Sequence, residues 1–133
     1  MNLKEEGLES NILRILKKNN VNKFFFLDQS FPFLMKTINS GEKRCALRIS
    51  EFESINSAYN LAGKVEWVWI DYFTKFPLNY NEYIKLNKLG YKICIVSPEL
   101  QGKEKYEAKK LKEFLENNKI YPDAICTKNI DLW

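Results

Sequence analysis

The sequence predicts an α/β fold of repeated strand–helix units. Five short apolar runs recur along the chain, segments of helical period lie between them, and glycines fall where those helices should stop. The runs are Phe24–Leu27, Ala46–Ile49, Val65–Ile70, Ile93–Val96 and Ala124–Cys126. Each is rich in β-branched or aromatic residues and nearly continuous rather than alternating, the pattern of strands covered on both faces in a parallel sheet. Leu8, Ile12, Ile15 and Leu16 make one helical stripe. Phe52, Ile55, Ala58 and Tyr59 make a second, and Tyr106, Leu111, Phe114 and Leu115 a third. Ser50-Glu51-Phe52-Glu53 has the spacing of a capping box, with Ser50 as N-cap and Glu53 reaching back. Ser30 is placed to cap a helix that Pro32 helps to start, and Gly41, Gly63 and Gly90 stand at helix ends. Strand and helix alternate roughly every 20–30 residues, which reads as successive right-handed βαβ units.

At 133 residues the chain is one domain, spanning 1–133, with enough length for a real core. A hydrophobic content of 45% places it among globular rather than disordered chains. No apolar run approaches the ~20 residues that span a bilayer, and the charged start Met1-Asn2-Leu3-Lys4-Glu5-Glu6 is unlike a signal peptide. Cys45, Cys94 and Cys126 are odd in number and lie within or beside apolar runs. With no Cys-x-x-Cys pair and no histidine, they read as buried thiols in a reducing compartment, so a cytoplasmic location without zinc is expected. The net charge is +4, but lysines alternate with glutamates, as in Lys103-Glu104-Lys105 and Lys109-Lys110-Leu111-Lys112-Glu113. Solvated helix faces give that pattern, and no nucleic-acid partner is expected.

In parallel α/β folds ligands bind beyond the carboxyl ends of the strands. Every apolar run here finishes in polar residues: Asp28-Gln29-Ser30, Arg48-Ile49-Ser50, Asp71, Ser97-Pro98-Glu99 and Thr127-Lys128. Period two puts Phe24, Phe26 and Asp28 on one face, as it does Trp67, Trp69 and Asp71, and Ile93, Ile95 and Ser97. Asp28, Arg48, Asp71 and Ser97 should then meet around one mouth. Singly, Ser30 and Ser50 are explained as caps, and Asp28 and Asp71 as acceptors of loop amides. Polar groups on all five strand ends point instead to a shared site. There is no Gly-rich phosphate loop, nucleophile elbow, or Ser/His or Cys/His pair.

Four short motifs resemble the C-terminal portion of the glycerophosphodiester phosphodiesterases and related phosphatidylinositol-specific phospholipase C-like barrels. Asn2-Leu3-Lys4 resembles the family's Glu-x-Lys strand, and Asp28-Gln29-Ser30-Phe31 the strand ending in Ser-Phe. Ile95-Val96-Ser97-Pro98-Glu99 lies where the family has Trp-Thr-x-Asn, and Asp123-Ala124-Ile125-Cys126-Thr127-Lys128 resembles its closing Asp-Gly-Ile-Ile-Thr-Asp. The resemblance implies about six parallel βα units of a partial TIM-type barrel that lacks its first strands. It implies phosphodiester hydrolysis with a divalent metal, magnesium or calcium, in complete family members. The family's His-Arg-Gly and Glu-x-Asp strands precede the matched region, and its metal-binding Glu, its Trp and its final Asp fall on Asn2, Val96 and Lys128. The chain is therefore expected to hold no metal of its own and to be inactive alone. Lys4, Ser30 and Ser97 carry over as candidate substrate-binding residues. Arg48 and Asp71 join them from strand position, for a phosphodiester or sugar-phosphate ligand. Two unpaired edges, and an inner face carrying Phe24, Phe26, Trp67 and Trp69, would favour self-association. A second resemblance, Asp28, Ser97 and Lys103 in the order of haloacid-dehalogenase-like phosphatases, stands beside the first. A non-catalytic binding or assembly module would have the same fold.

Overall fold

A computed structural model describes all 133 residues. Four of the apolar runs form strands: β1 (Ala46–Ile49), β2 (Trp67–Ile70), β3 (Lys92–Val96) and β4 (Ala124–Cys126). They make one parallel sheet in the order β1-β2-β3-β4, with Ala46 opposite Trp67, Trp67 opposite Lys92, and Cys94 opposite Ala124. Between and before them lie α1 (Glu9–Lys18), α2 (Phe31–Asn39), α3 (Asn56–Asn60), α4 (Tyr80–Lys88) and α5 (Lys105–Asn117).

The regular sheet thus has four strands, not six. The chain nonetheless continues it through single parallel bridges, Phe26 with Cys45 and Asn2 with Leu27. The backbone N–H of Ala46 donates to Phe26 O at 2.8 Å, and that of Leu27 to Met1 O at 2.8 Å. These segments are too short to become regular strands, and Asp28, at φ 63°, turns the chain out of extended geometry just after Leu27. No helix is long and apolar enough to cross a membrane.

All five helices pack on one face of the sheet. Leu47, Ile49, Val68, Ile70, Ile93 and Ile95 bury there against Leu34 and Ile38 of α2, Ala58 of α3, Tyr83 and Leu86 of α4, and Leu111 and Leu115 of α5, with Ile12 and Leu13 of α1 at the margin. Tyr91 fixes this layer by donating its hydroxyl to Ala58 O at 2.7 Å in a buried bond. The opposite face carries a smaller cluster of Leu27, Ala46, Trp69, Cys94 and Val96, flanked by Phe25, Trp67, Ala124 and Cys126.

This division corrects the expected inner face. Phe26 is fully buried in the helix-side core and Phe24 packs against that core, whereas Trp67 and Trp69 face the other way. Phe25 is their neighbour, stacked on Trp67 with ring centroids 4.6 Å apart. The left-handed backbone at Asp28 breaks the alternation, so Asp28 does not share the face of Phe24 and Phe26.

The helix signals fared unevenly. Ser30 is the N-cap of α2 with Pro32 in its first turn, but its side chain makes no capping bond. Ser50 starts no helix. Its backbone pairs with that of Glu53 in both directions at 3.3 Å, and its hydroxyl donates to the Glu53 carboxylate at 2.8 Å, closing a tight turn. Phe52 at the tip is exposed, and the helix that follows begins only at Asn56. A true capping box lies unforeseen at α4: the Asn79 side chain accepts from Glu82 N at 3.0 Å, and the Glu82 carboxylate accepts from Asn79 N at 2.8 Å. Gly41, Gly63 and Gly90 follow α2, α3 and α4 with positive φ, as expected.

Candidate ligand-binding site at the strand ends

Parallel strands in sequence order bring every carboxyl end to the same rim. Leu27, Ala46 and Trp69 belong to the face away from the helices. Alternation then places Arg48, two residues after Ala46, and Asp71, two after Trp69, on that face at the rim. Asp28 reaches the same place by its turn out of extended backbone.

The three side chains form one ionic cluster. Arg48 donates through Nε to Asp71 Oδ2 at 3.1 Å and through a terminal nitrogen to Asp28 Oδ1 in a short contact. Gln101 Nε2 donates to the remaining Asp71 oxygen at 2.7 Å, and Lys4 Nζ reaches Asp28 Oδ2 at 3.5 Å. Side-chain exposure falls from 80% at Lys4 and 39% at Arg48 to 23% at Asp28 and 7% at Asp71, so charge is sunk into the rim from its floor upward. Burial pushes the Asp71 carboxyl above the ordinary aspartate range, against the pull of the Arg48 guanidinium beside it.

Two cavities meet over this cluster and share Lys4, Leu27, Asp28 and Arg48. One, of about 590 Å³, runs toward Gln29, Ser30, Glu53 and Ser54. The other, of about 690 Å³, lies over Phe25, Trp69, Asp71, Phe73 and Gln101. Arg48 stands between them. Its guanidinium has five N–H donors and spends two on the ion pairs, leaving donors for a ligand.

Of the residues singled out from sequence, Lys4, Arg48 and Asp71 come together through Asp28, and Ser30 lines the adjoining wall. Ser97 does not join them. It is fully buried, donates to the Glu99 carboxylate and accepts from Trp133 Nε1 at 3.0 Å. Glu99 also accepts from Thr127 Oγ1 and from Lys128 N at 3.2 Å, so Ser97, Glu99 and Thr127 are tied to one another beside the mouth, while Val96 and Cys126 line its second cavity. Gln101 and Glu53 were missed: neither terminates an apolar run, and nothing local in the sequence aims them at the rim. Another unforeseen carboxylate is Glu51, which accepts from the backbone N–H groups of Phe73, Thr74 and Lys75 and so fastens the loop after β2. Burial raises its pKa, but the Lys75, Thr74 and Phe73 amides outweigh that and bring it down to about 2.

The donor set does not fit a divalent metal. Asp28 and Asp71 are both spent on Arg48, and no group of three carboxylate, thiol or imidazole side chains converges anywhere in the chain. No protein-family model, curated protein or solved structure matches the chain.

Proposed function

We propose that this chain is a ligand-binding half-barrel of the glycerophosphodiester phosphodiesterase-like kind, which holds a polyol phosphate at its strand ends and does not hydrolyse it alone. The observation that carries this is Arg48, anchored between Asp28 and Asp71 at the carboxyl ends of adjacent parallel segments, with Lys4 arriving from a fourth. The sequence-ordered winding, with every helix on one face, is the pattern of such barrels and supports the same reading.

The charges decide the ligand class. Lys4 and Arg48 are balanced by Asp28 and Asp71, and Glu6 and Glu53 make the wall of the cavity beside Ser30 acidic. A bare anion gains little there. A ligand with hydroxyls to donate to Asp28, Glu53 and Gln29, and one phosphate for Lys4 and the free N–H groups of Arg48, satisfies both signs. Hydrolysis would need a poised acid–base pair or a metal, and the two carboxylates nearest the ligand are held by one guanidinium.

The phosphatase-like order of Asp28, Ser97 and Lys103 gains no support. Ser97 is buried beneath Trp133, and Lys103 lies 3.8 Å from the Tyr72 ring centroid. Titration calorimetry with glycerol 3-phosphate tests the proposal, with glycerol and inorganic phosphate as controls. Glycerol 3-phosphate should bind tightest, and Lys4→Ala, at an exposed position, should weaken it about five- to tenfold. Binding equal to that of free phosphate, or unmoved by Lys4→Ala, refutes the site, and hydrolysis of glycerophosphocholine by the purified chain refutes its inactivity.

A further inference from the structure

The opposite, amino-terminal end of the sheet holds a third cavity, of about 450 Å³, lined by Asn22, Lys23, Phe24, Phe25, Arg44, Glu66, Trp67 and Lys92. It opens where the Phe24–Leu27 segment, β1, β2 and β3 begin. A strand of four residues at ~3.3 Å per residue sets it about 13 Å from the Arg48 cluster.

Its chemistry differs from that of the rim. Three cations line it with one carboxylate, and one of the three, Arg44, is neutralised by Glu42 behind it. Arg44 is pre-set: Glu42 grips it at Nε (2.8 Å) and at a terminal nitrogen (2.6 Å), Asn22 O accepts from it at 3.4 Å, and its guanidinium lies 4.1 Å from the Phe24 ring centroid. Lys92 Nζ stands 5.5 Å from the Trp67 ring centroid and only 4.0 Å from Glu66 Oε2, a loose pair. Lys23 has no ion pair or side-chain hydrogen bond. Phe25 and Trp67, stacked and half-buried, form an aromatic wall beside these charges. Such a wall is a stacking surface for a planar ring, and ammonium groups at its margin suit an anion carried by that ring. The size is that of a small-molecule site.

We infer that this cavity binds a nucleoside monophosphate, its base against the Phe25–Trp67 wall and its phosphate between Lys23 and Lys92. The ring accounts for the aromatic wall, and an anionic group accounts for Lys23, which has no partner, and for Lys92, whose one ion pair is long. Polynucleotides fit less well, because the cations cluster at one cavity and do not track along a groove.

Titration calorimetry of the full chain with AMP, adenosine and ribose 5-phosphate tests this. AMP should bind about tenfold more tightly than either half-ligand, because each supplies only one of the two contacts. Lys23→Ala and Lys92→Ala, both at exposed positions, should each weaken AMP about five- to tenfold, and raised salt should weaken it further. Lys4→Ala, at the far end, should leave AMP binding unchanged, which separates this site from the polyol-phosphate site. The inference is overturned if AMP binds no better than ribose 5-phosphate or adenosine, if neither lysine variant changes its affinity, or if Lys4→Ala weakens it.

Discussion

Replacing Arg48 by alanine removes the only cation in contact with Asp71 and leaves a carboxylate that is 7% exposed without a counter-charge. Breaking a buried pair from one side costs about 3–5 kcal/mol, whereas an exposed pair is worth about 0–1. Arg48 is 39% exposed and Asp28 23%, so the loss at pH 7 should lie between these limits, at about 2 kcal/mol. With a urea m value near 1.5 kcal/mol per molar, the unfolding midpoint should fall by about 1.3 M. The pH dependence carries the sharper test. Burial already raises the folded-state pKa of Asp71, and Arg48 opposes that rise. Without Arg48 the pKa climbs further. A carboxylate whose folded pKa exceeds its unfolded value binds more protons when folded, so it imposes no penalty below the unfolded pKa and a growing one as pH rises through the folded pKa. The gap between wild type and Arg48→Ala should therefore narrow on acidification from pH 7 toward pH 4, and Arg48→Ala/Asp71→Asn should recover much of the loss at pH 7. Urea unfolding followed by tryptophan fluorescence at both pH values measures this. An equal gap at the two pH values, or none at pH 7, would show that Asp71 is solvated and that the cluster does not couple charge to the fold.

Two further outcomes follow from other carboxylate and thiol environments. Glu51→Gln should speed amide hydrogen exchange at Phe73, Thr74 and Lys75 about tenfold. The wild-type loop should loosen only in strong acid, because a carboxylate depressed to about 2 keeps its stabilising bonds above its unfolded pKa and loses them as pH falls through the folded one. Burial pushes Cys45 and Cys94 up to about 12 and leaves Cys126 half-exposed, so a thiol-disulfide reagent at pH 8 should label Cys126 first and the other two only on unfolding.

What the sequence reveals is set by how local each signal is. Continuous apolar runs such as Ile93–Val96 carry their own strand signal, and Gly90 carries its own helix end, because both depend on neighbouring residues alone. The partition of Phe24, Phe25 and Phe26 between faces does not, since three consecutive phenylalanines give no alternation and the decisive turn at Asp28 is a backbone choice made by tertiary contacts. Ser50 and Glu53 likewise satisfy each other in a turn as readily as across a first helical turn, so the spacing alone could not decide. Arg48 and Asp71 were readable because Arg48 interrupts an apolar run one residue before its end and Asp71 follows one. Ser97 was readable in the same way and still lies outside the mouth, because it falls one residue out of phase with Cys94 and Val96, which face the side away from the helices.

That phase also changes the argument about open edges. Counting strands leaves four aromatics, Phe24, Phe26, Trp67 and Trp69, to stand exposed on an unfilled inner face. Phe26 instead completes the helix-side core, and Trp69 is only 9% exposed among Leu27, Ala46, Cys94 and Val96. Phe25 and Trp67 remain half open, and they cover part of each other by stacking. Apolar burial is worth about 25 cal/mol per Å², so the drive to hide this face against a second sheet is correspondingly small. One edge of the sheet, β4, is only three residues long, and short edges give few backbone groups to pair. What stays accessible on this face lies at its two ends: the Asp28–Arg48–Asp71 rim, where opposite charges are closely paired, and the Lys23–Trp67–Lys92 hollow, where Lys23 has no partner and Lys92 only a loose one in Glu66. Openings of that size and polarity suit small polar ligands better than another layer of apolar side chains.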